Sequence, residues 1–312
     1  MIETPAVPAV SRRSALQWVR GIAHQYGYRL VLGQLPRLYY GNDAGFSQNF
    51  RAGRELRALR ARAPQAGSPG DARPARLRQE GFLPLGKPYA PALVAAIRSR
   101  VAELVMDPAA SLPVGPRIKD AIRGIVDPLE RIPEIAQLLS DDIQGVLRGY
   151  FGTHFRVEHV RVWRNVHVPD AFARQDVYSN LWHNDQDPVT LLRLFVYMTD
   201  GVTRETGATN VHSIAATKQI IRRGYLRRRA ILPPARRILE DAARIQYFEG
   251  DAGSACLLNP QLCLHRATVP RAGAHRDMIQ FTIAPSGVPL ADDWHRRMPP
   301  DAVMHAMAPE RG

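Results

Sequence analysis

Residues 155–168, FRVEHVRVWRNVHV, alternate in character: Val160, Val162, Val166 and Val168 fall on one face, and His159, Arg161, Trp163, Asn165 and His167 on the other. A period of two sends successive side chains to opposite sides of an extended chain, so a strand with one apolar and one chemistry-bearing face is predicted. LLRLFVYMT (191–199) is apolar almost throughout and predicts a strand buried on both faces. AGSACLLN (252–259) and RDMIQFTIA (276–284) predict two more. In the last of these Arg276, Met278, Gln280 and Thr282 face one way, and Ile279, Phe281 and Ile283 the other.

Before Gly152 the pattern is helical instead. An amphipathic helix is predicted over 11–26, where Leu16, Val19, Ile22, Ala23 and Tyr26 share a face behind Ser14. A short strand, a proline turn and a second helix are predicted over 80–105, and another helix over 130–150. Between 51 and 79 large apolar residues are scarce while Ala, Arg, Gly and Pro abound, which predicts a linker or a mobile, partly helical arm. Two helical pieces at 216–225 and 233–244 interrupt the strands. Helices first, then strands with one insertion, predict a mainly β fold, barrel or sandwich, carrying an α-helical N-terminal layer. The expected organisation is a basic helical extension and linker over 1–79, a β domain over 80–290 and a tail over 291–312.

Composition adds exclusions. Hydrophobic content of 45% and charged content of 23% over 312 residues are those of an ordinary globular chain. No apolar run nears the roughly 18 residues that a membrane span needs. The N-terminus has no basic segment followed by an apolar one, so a cytoplasmic protein is expected. Cys256 and Cys263 fit neither a zinc pattern nor a disulfide framework and are read as core residues. The net charge of +13 is almost wholly arginine, with three lysines, and no nucleic-acid-binding motif accompanies it. It reads as a drift of the whole composition, and a nucleic-acid partner is not expected.

The candidate chemistry lies in YSNLWHNDQD (178–187). His183-Asn184-Asp185 alone is a common triplet, and a surface turn bonding its own backbone explains it as well. A third ligand changes its weight. Two histidines and one carboxylate can occupy one face of an octahedron around Fe(II) and leave the opposite face open. His265, at the end of ACLLNPQLCLH, is the natural partner, although a histidine on a strand is commonly a satisfied core residue. Arg276 follows on an inward strand face, where a buried guanidinium needs an anion to pair with. His275, its neighbour, is turned away by the alternation.

With His183-x-Asp185, His265 and Arg276 at this spacing, and VYMTDGVTRETGATNV between them, the chain from about Gly81 to Ser286 resembles the phytanoyl-CoA dioxygenase-like group of Fe(II)/2-oxoglutarate-dependent oxygenases. The resemblance implies a double-stranded β-helix. It implies that His183, Asp185 and His265 hold the iron, that Arg276 pairs with the far carboxylate of 2-oxoglutarate, and that O2 is the other co-substrate. HSIAATKQ (212–219) departs from the Pro-Gly-Ser-His segment frequent in that group, so the pocket wall differs there. Halogenating relatives replace the ligand aspartate with a small residue; Asp185 is present, which favours hydroxylation of a small-molecule substrate.

Around this set, Asn165 is a candidate for touching 2-oxoglutarate or substrate. Arg193 is a candidate for an anionic substrate or a rim salt bridge, and Trp182 for packing or substrate contact. The arginine-dense stretch 218–237 falls where such a fold places its covering loops and is read as a lid or a solvated face. Two other readings are a barrel that binds without catalysing, and an oxygenase held to nucleic acid by the basic segment 51–79.

Overall fold

The structure is a computed structural model that describes residues 45–65, 67–114, 121–169, 177, 179–185, 187–227 and 230–298. The helix expected over 11–26 and the central arginines of the 218–237 stretch, Arg228 and Arg229, lie outside the described residues.

The first described elements are α1 (Gly45–Arg62), α2 (Arg73–Glu80), strand β1 (Phe82–Gly86) and α3 (Pro91–Met106). Segment 51–79, expected as an arm or linker, is thus largely helical and docked. Leu77 is fully buried in the main core. Arg60 Nε donates to the Phe151 carbonyl (2.6 Å), Arg78 Nη1 to the Gly149 carbonyl (2.6 Å), and Arg73 bridges Asp71 and Asp142. Arg60, Arg73 and Arg78, among the arginines that composition presents as an electrostatic handle, are therefore engaged within the molecule. Gly81 ends α2 in the left-handed conformation (φ 78°), and a Cβ there would collide with Cys263 and Ile214, so this helix end lies hard against the loop leading to His265.

After β2 (Ser111–Pro113) and β3 (Ile122–Ile125), the helix expected over 130–150 is broken into three pieces. These are α4 (Pro128–Arg131), a 3-10 turn over Pro133–Leu138, and α5 (Asp141–Phe151). Pro133 cannot continue the preceding helix. Ser140 then starts a new one by accepting from the Ile143 amide, with Asp141 and Asp142 in the favourable first turn. Gly152 (φ 66°) closes it, and the chain turns into β4 (His154–Val166).

The remaining elements are β5 (Leu192–Tyr197), β6 (Thr209–Val211), α6 (Ile214–Arg222), β7 (Tyr225–Arg227), β8 (Ala230–Ile231), α7 (Pro233–Leu239), β9 (Gln246–Phe248), β10 (Ala255–Leu258), β11 (His265–Ala267) and β12 (His275–Ser286). The described strands form a seven-stranded sheet in the order β1-β10-β5-β12-β4-β3-β2, a three-stranded sheet β11-β6-β9 and a two-stranded sheet β7-β8, antiparallel in every pairing. This is the mainly β architecture with helices that the sequence predicts, compatible with a double-stranded β-helix.

Alternation divides each strand of the large sheet between two cores. Leu192, Leu194 and Val196 of β5, with Ile279, Phe281 and Ile283 of β12 and Val160 and Val162 of β4, pack beneath the helices. Phe195, Tyr197 and Met278 turn the other way, toward Ala208, Val211 and Phe248 of the small sheet and its approaches. The alternation on β4 ends earlier than predicted: the strand stops at Val166, and Val168 packs apart with Ala121 and Ala267. Cys256 and Cys263 are free and buried. No helix among the described residues is long and apolar enough to cross a membrane.

Candidate metal centre

His183 lies outside the regular strands but forms an antiparallel bridge with His265, which extends the edge of the small sheet. The His183 amide donates to the His265 carbonyl (3.0 Å) and the His265 amide to that of His183 (2.9 Å). Directly opposed residues in such a pair present their side chains on the same face, and the two rings stand with centroids 4.3 Å apart. Asp185 follows at period two, its amide donating to the Pro260 carbonyl (3.1 Å). Asn184, turned oppositely, donates through Nδ2 to the Gln261 carbonyl (3.0 Å). Asn259, fully buried, secures that loop with bonds to the Val189 carbonyl (2.8 Å) and the Tyr150 hydroxyl (3.2 Å).

One atom from each of His183, Asp185 and His265 lies within 4.8 Å of the others. His183 Nε2 is 3.4 Å and His265 Nε2 3.6 Å from Asp185 Oδ1. The far nitrogen of each ring fixes its tautomer. Nδ1 of His183 faces the Leu181 carbonyl (2.8 Å) and Nδ1 of His265 the Cys263 carbonyl (3.0 Å). A carbonyl only accepts, so each Nδ1 carries the proton and each Nε2 presents a lone pair to the cluster. Burial pushes the His265 imidazole down to about 4, which keeps it neutral at ordinary pH. Burial pushes the Asp185 carboxyl up, but the His183 and His265 rings beside it and the Arg193 guanidinium together outweigh burial and hold the group below the usual carboxylate range. Two imidazoles and one carboxylate aimed at a common point form a donor set that fits a divalent cation, and the outer hydrogen bonds are those that orient metal-bound histidines.

The cluster opens onto a cavity of about 370 Å³ between the two sheets. Arg276, only 2% exposed, stands at one end of it. It is in register with Asn165 of β4, and its guanidinium donates to the Gly207 carbonyl and, at 3.4 Å, to the Thr209 hydroxyl. Gly207 has φ 114°, and a side chain there would press on Pro270 and Arg276, so a glycine is what lets this carbonyl approach. Tyr197 braces the same corner, accepting from the Thr209 amide (3.1 Å) and donating to the Phe248 carbonyl (2.8 Å). Asn165 is buried and its side-chain oxygen has no hydrogen-bond partner among the described residues, which leaves a polar group for a ligand.

Arg193 also reaches the cavity, but against Asp185 and Asp187. His275 turns away, as alternation requires, to within 3.7 Å of Asp277. Trp182 does not reach the cavity. One residue from His183 on an extended segment, it faces the back of the small sheet, stacks on His212 (4.5 Å), lies under the Arg266 guanidinium (4.7 Å) and packs with Ile220, Tyr225 and Leu264. Among the described residues of the insertion, Ile220, Tyr225, Ala235 and Leu239 pack on that same rear face and buttress it. Sequence reasoning missed Thr209, Asp187 and Arg161 as cavity-lining residues. Alternation places Arg161 with Asn165, and Asp187 with His183 and Asp185, so a signal was available for those two; the β6 run is too short to carry one for Thr209.

No protein-family model matches the chain, and no curated protein matches it by sequence. Solved structures do match. EctD from S. alaskensis with bound Fe is similar at 17% identity over 72% of this chain and 81% of that one, with a TM-score of 0.52. The non-heme alpha ketoglutarate dependent carbocyclase SnoK from nogalamycin biosynthesis is similar at 14% identity over 78% and 94%, with a TM-score of 0.50. HygX from Streptomyces hygroscopicus with nickel and 2-oxoglutarate bound is similar at 13% identity over 71% and 89%, also at 0.50. Likeness at these identities speaks to architecture, and the chain accordingly shares with these proteins the antiparallel double-stranded β-helix in whose small sheet His183 and His265 are paired.

Proposed function

We propose that the protein is an Fe(II)- and 2-oxoglutarate-dependent oxygenase of the phytanoyl-CoA dioxygenase-like type that hydroxylates a small molecule. The observation that carries this reading is the cluster of His183, Asp185 and His265, with both imidazoles locked by backbone carbonyls so that their lone pairs converge on one carboxylate oxygen. Iron and 2-oxoglutarate, when bound, would supply oxidation of a C–H bond with O2 as the oxidant, one oxygen atom going to the substrate and the other to succinate as the oxo acid loses CO2. The proteins of similar fold that hold iron, or nickel with 2-oxoglutarate, support this choice of metal and co-substrate.

Arg276 and Thr209 form a cationic, hydrogen-bonding corner for the far carboxylate of 2-oxoglutarate, and Asn165 offers its spare polar valence beside them. Trp163, Phe195 and Met278 line the wall between that corner and the cluster, excluding water where a reactive species needs protection. A cavity of this size suits a compact small molecule.

Anaerobic addition of Fe(II) and 2-oxoglutarate is the test. A weak visible charge-transfer band should appear in the wild-type protein and vanish in His183→Ala. Well-folded protein without that band, and without succinate release in air, would instead be a barrel that binds but does not catalyse.

A further inference from the structure

The two oxygens of Asp185 face different partners. Oδ1 points to the imidazole pair, whereas Oδ2 lies 3.5 Å from Arg193 Nη2. Arg193 is held on two further sides: Nη1 donates to the hydroxyl of Thr282, its cross-strand partner on β12, and Nη2 donates to Asp187 Oδ2. Its side chain is only 10% exposed, so its charge is stable there because of these carboxylates. A guanidinium is planar and donates in fixed directions, which lets it hold a carboxylate in one orientation as an ammonium cannot.

We infer that Arg193 is a positioning residue that turns Asp185 Oδ2 away from the cluster, so that the carboxylate offers a metal one oxygen and not two. This rests on the metal-dependent reading of the site. Carboxylates ligate through either one or both oxygens. On an octahedral ion held by three side chains, a second oxygen would occupy a position that the co-substrates need. Asp187 completes the device. It balances the Arg193 charge, so that the guanidinium orients Asp185 without cancelling the negative charge that a cation requires. The expectation that Arg193 meets an anionic substrate conflicts with this arrangement, because the Nη2 group nearest the cluster is already shared between two carboxylates.

Anaerobic Co(II) titration of metal-free protein, followed by the visible spectrum of the bound ion, tests the inference in the wild type, Arg193→Met, Arg193→Lys and Thr282→Val. Loss of an outer hydrogen-bond partner typically weakens metal binding about 10- to 100-fold, and Arg193→Met should fall in that range with an altered spectrum. Arg193→Lys should recover part of the affinity, and Thr282→Val, which removes only a brace, should show a smaller loss. Wild-type affinity and spectrum in folded Arg193→Met would overturn the inference, as would unchanged metal binding with a raised KM for the organic substrate. Should Arg193→Met fail to fold, unchanged affinity and spectrum in both other variants overturns it equally. The oxygenase reading is scored separately on the wild type. Protein that shows the Co(II) effects but gives no band with Fe(II) and 2-oxoglutarate keeps the role of Arg193 and loses the proposed reaction.

Discussion

His183 and His265 are bound to each other through their backbones, each donating its amide to the other's carbonyl at 3.0 and 2.9 Å. The spacing of the two imidazoles is therefore set by sheet register. A slip of one residue would turn His265 to the rear face and bring Arg266 in its place. The spacing of the proposed ligands thus follows from backbone pairing.

A preformed site predicts stabilisation by metal without refolding. Ni(II) or Fe(II) at one hundred times its Kd should add about 2.7 kcal/mol, seen as a rise in Tm with an unchanged far-UV circular dichroism spectrum. His265→Ala should abolish the rise. A large gain in secondary structure on metal addition would contradict the preformed register.

Arg276→Met should raise the KM for 2-oxoglutarate roughly a hundredfold, about 3 kcal/mol, by removing a charge-assisted pair from a buried corner. Metal affinity measured without 2-oxoglutarate should stay near the wild-type value. Arg276→Lys should restore only part of the loss, because an ammonium lacks the forked geometry. Steady-state kinetics with varied 2-oxoglutarate distinguishes these outcomes.

Burial that lowers the His265 imidazole to about 4 carries a pH signature. The unfolded chain, with a histidine near 6.5, takes up this proton first as pH falls, so folding is penalised progressively from about pH 6.5 down to about pH 4. Asp185 is lowered as well, and its contribution is lost only as pH falls below the ordinary carboxylate range. Urea midpoints of metal-free protein should therefore decline between pH 6.5 and 4, and His265→Asn should flatten the curve in that window. Parallel curves for the two proteins would rule out this assignment.

Leu77→Ala should cost about 3 kcal/mol, within the range for a leucine removed from a packed core. The measurement is chemical denaturation, with metal affinity at a permissive temperature as the control. A cost near zero would mean that α2 is an appendage, against its fully buried leucine.

Much of this was legible in the chain. The period-two runs at 155–168 and 276–284 assign residues to faces, and the cavity wall of Arg161, Trp163, Asn165, Arg276, Met278 and Gln280 follows from them. The partly helical character of segment 51–79 is legible, but its docking is not, because its attachment depends little on apolar pattern. Besides Leu77, guanidinium groups of Arg60 and Arg78 bond backbone carbonyls of α5, contacts that leave no periodic trace. Of the two roles open to Trp182, its contacts are those of packing; the chain alone could not choose between them, because the face depends on which strand His183 joins, and that pairing is between residues far apart in sequence.

The sequence by itself determined the longer strands, the two faces of β4 and β12, and a set of residue types suited to a metal, because side-chain alternation is a local property of an extended chain. Tertiary structure alone decided that His183 pairs with His265, that Thr209 and Gly207 meet Arg276, and that Arg193 turns to Asp185. Those relationships arise from register and closure between two sheets, where hydrogen bonds join residues whose separation along the chain carries no periodic signal.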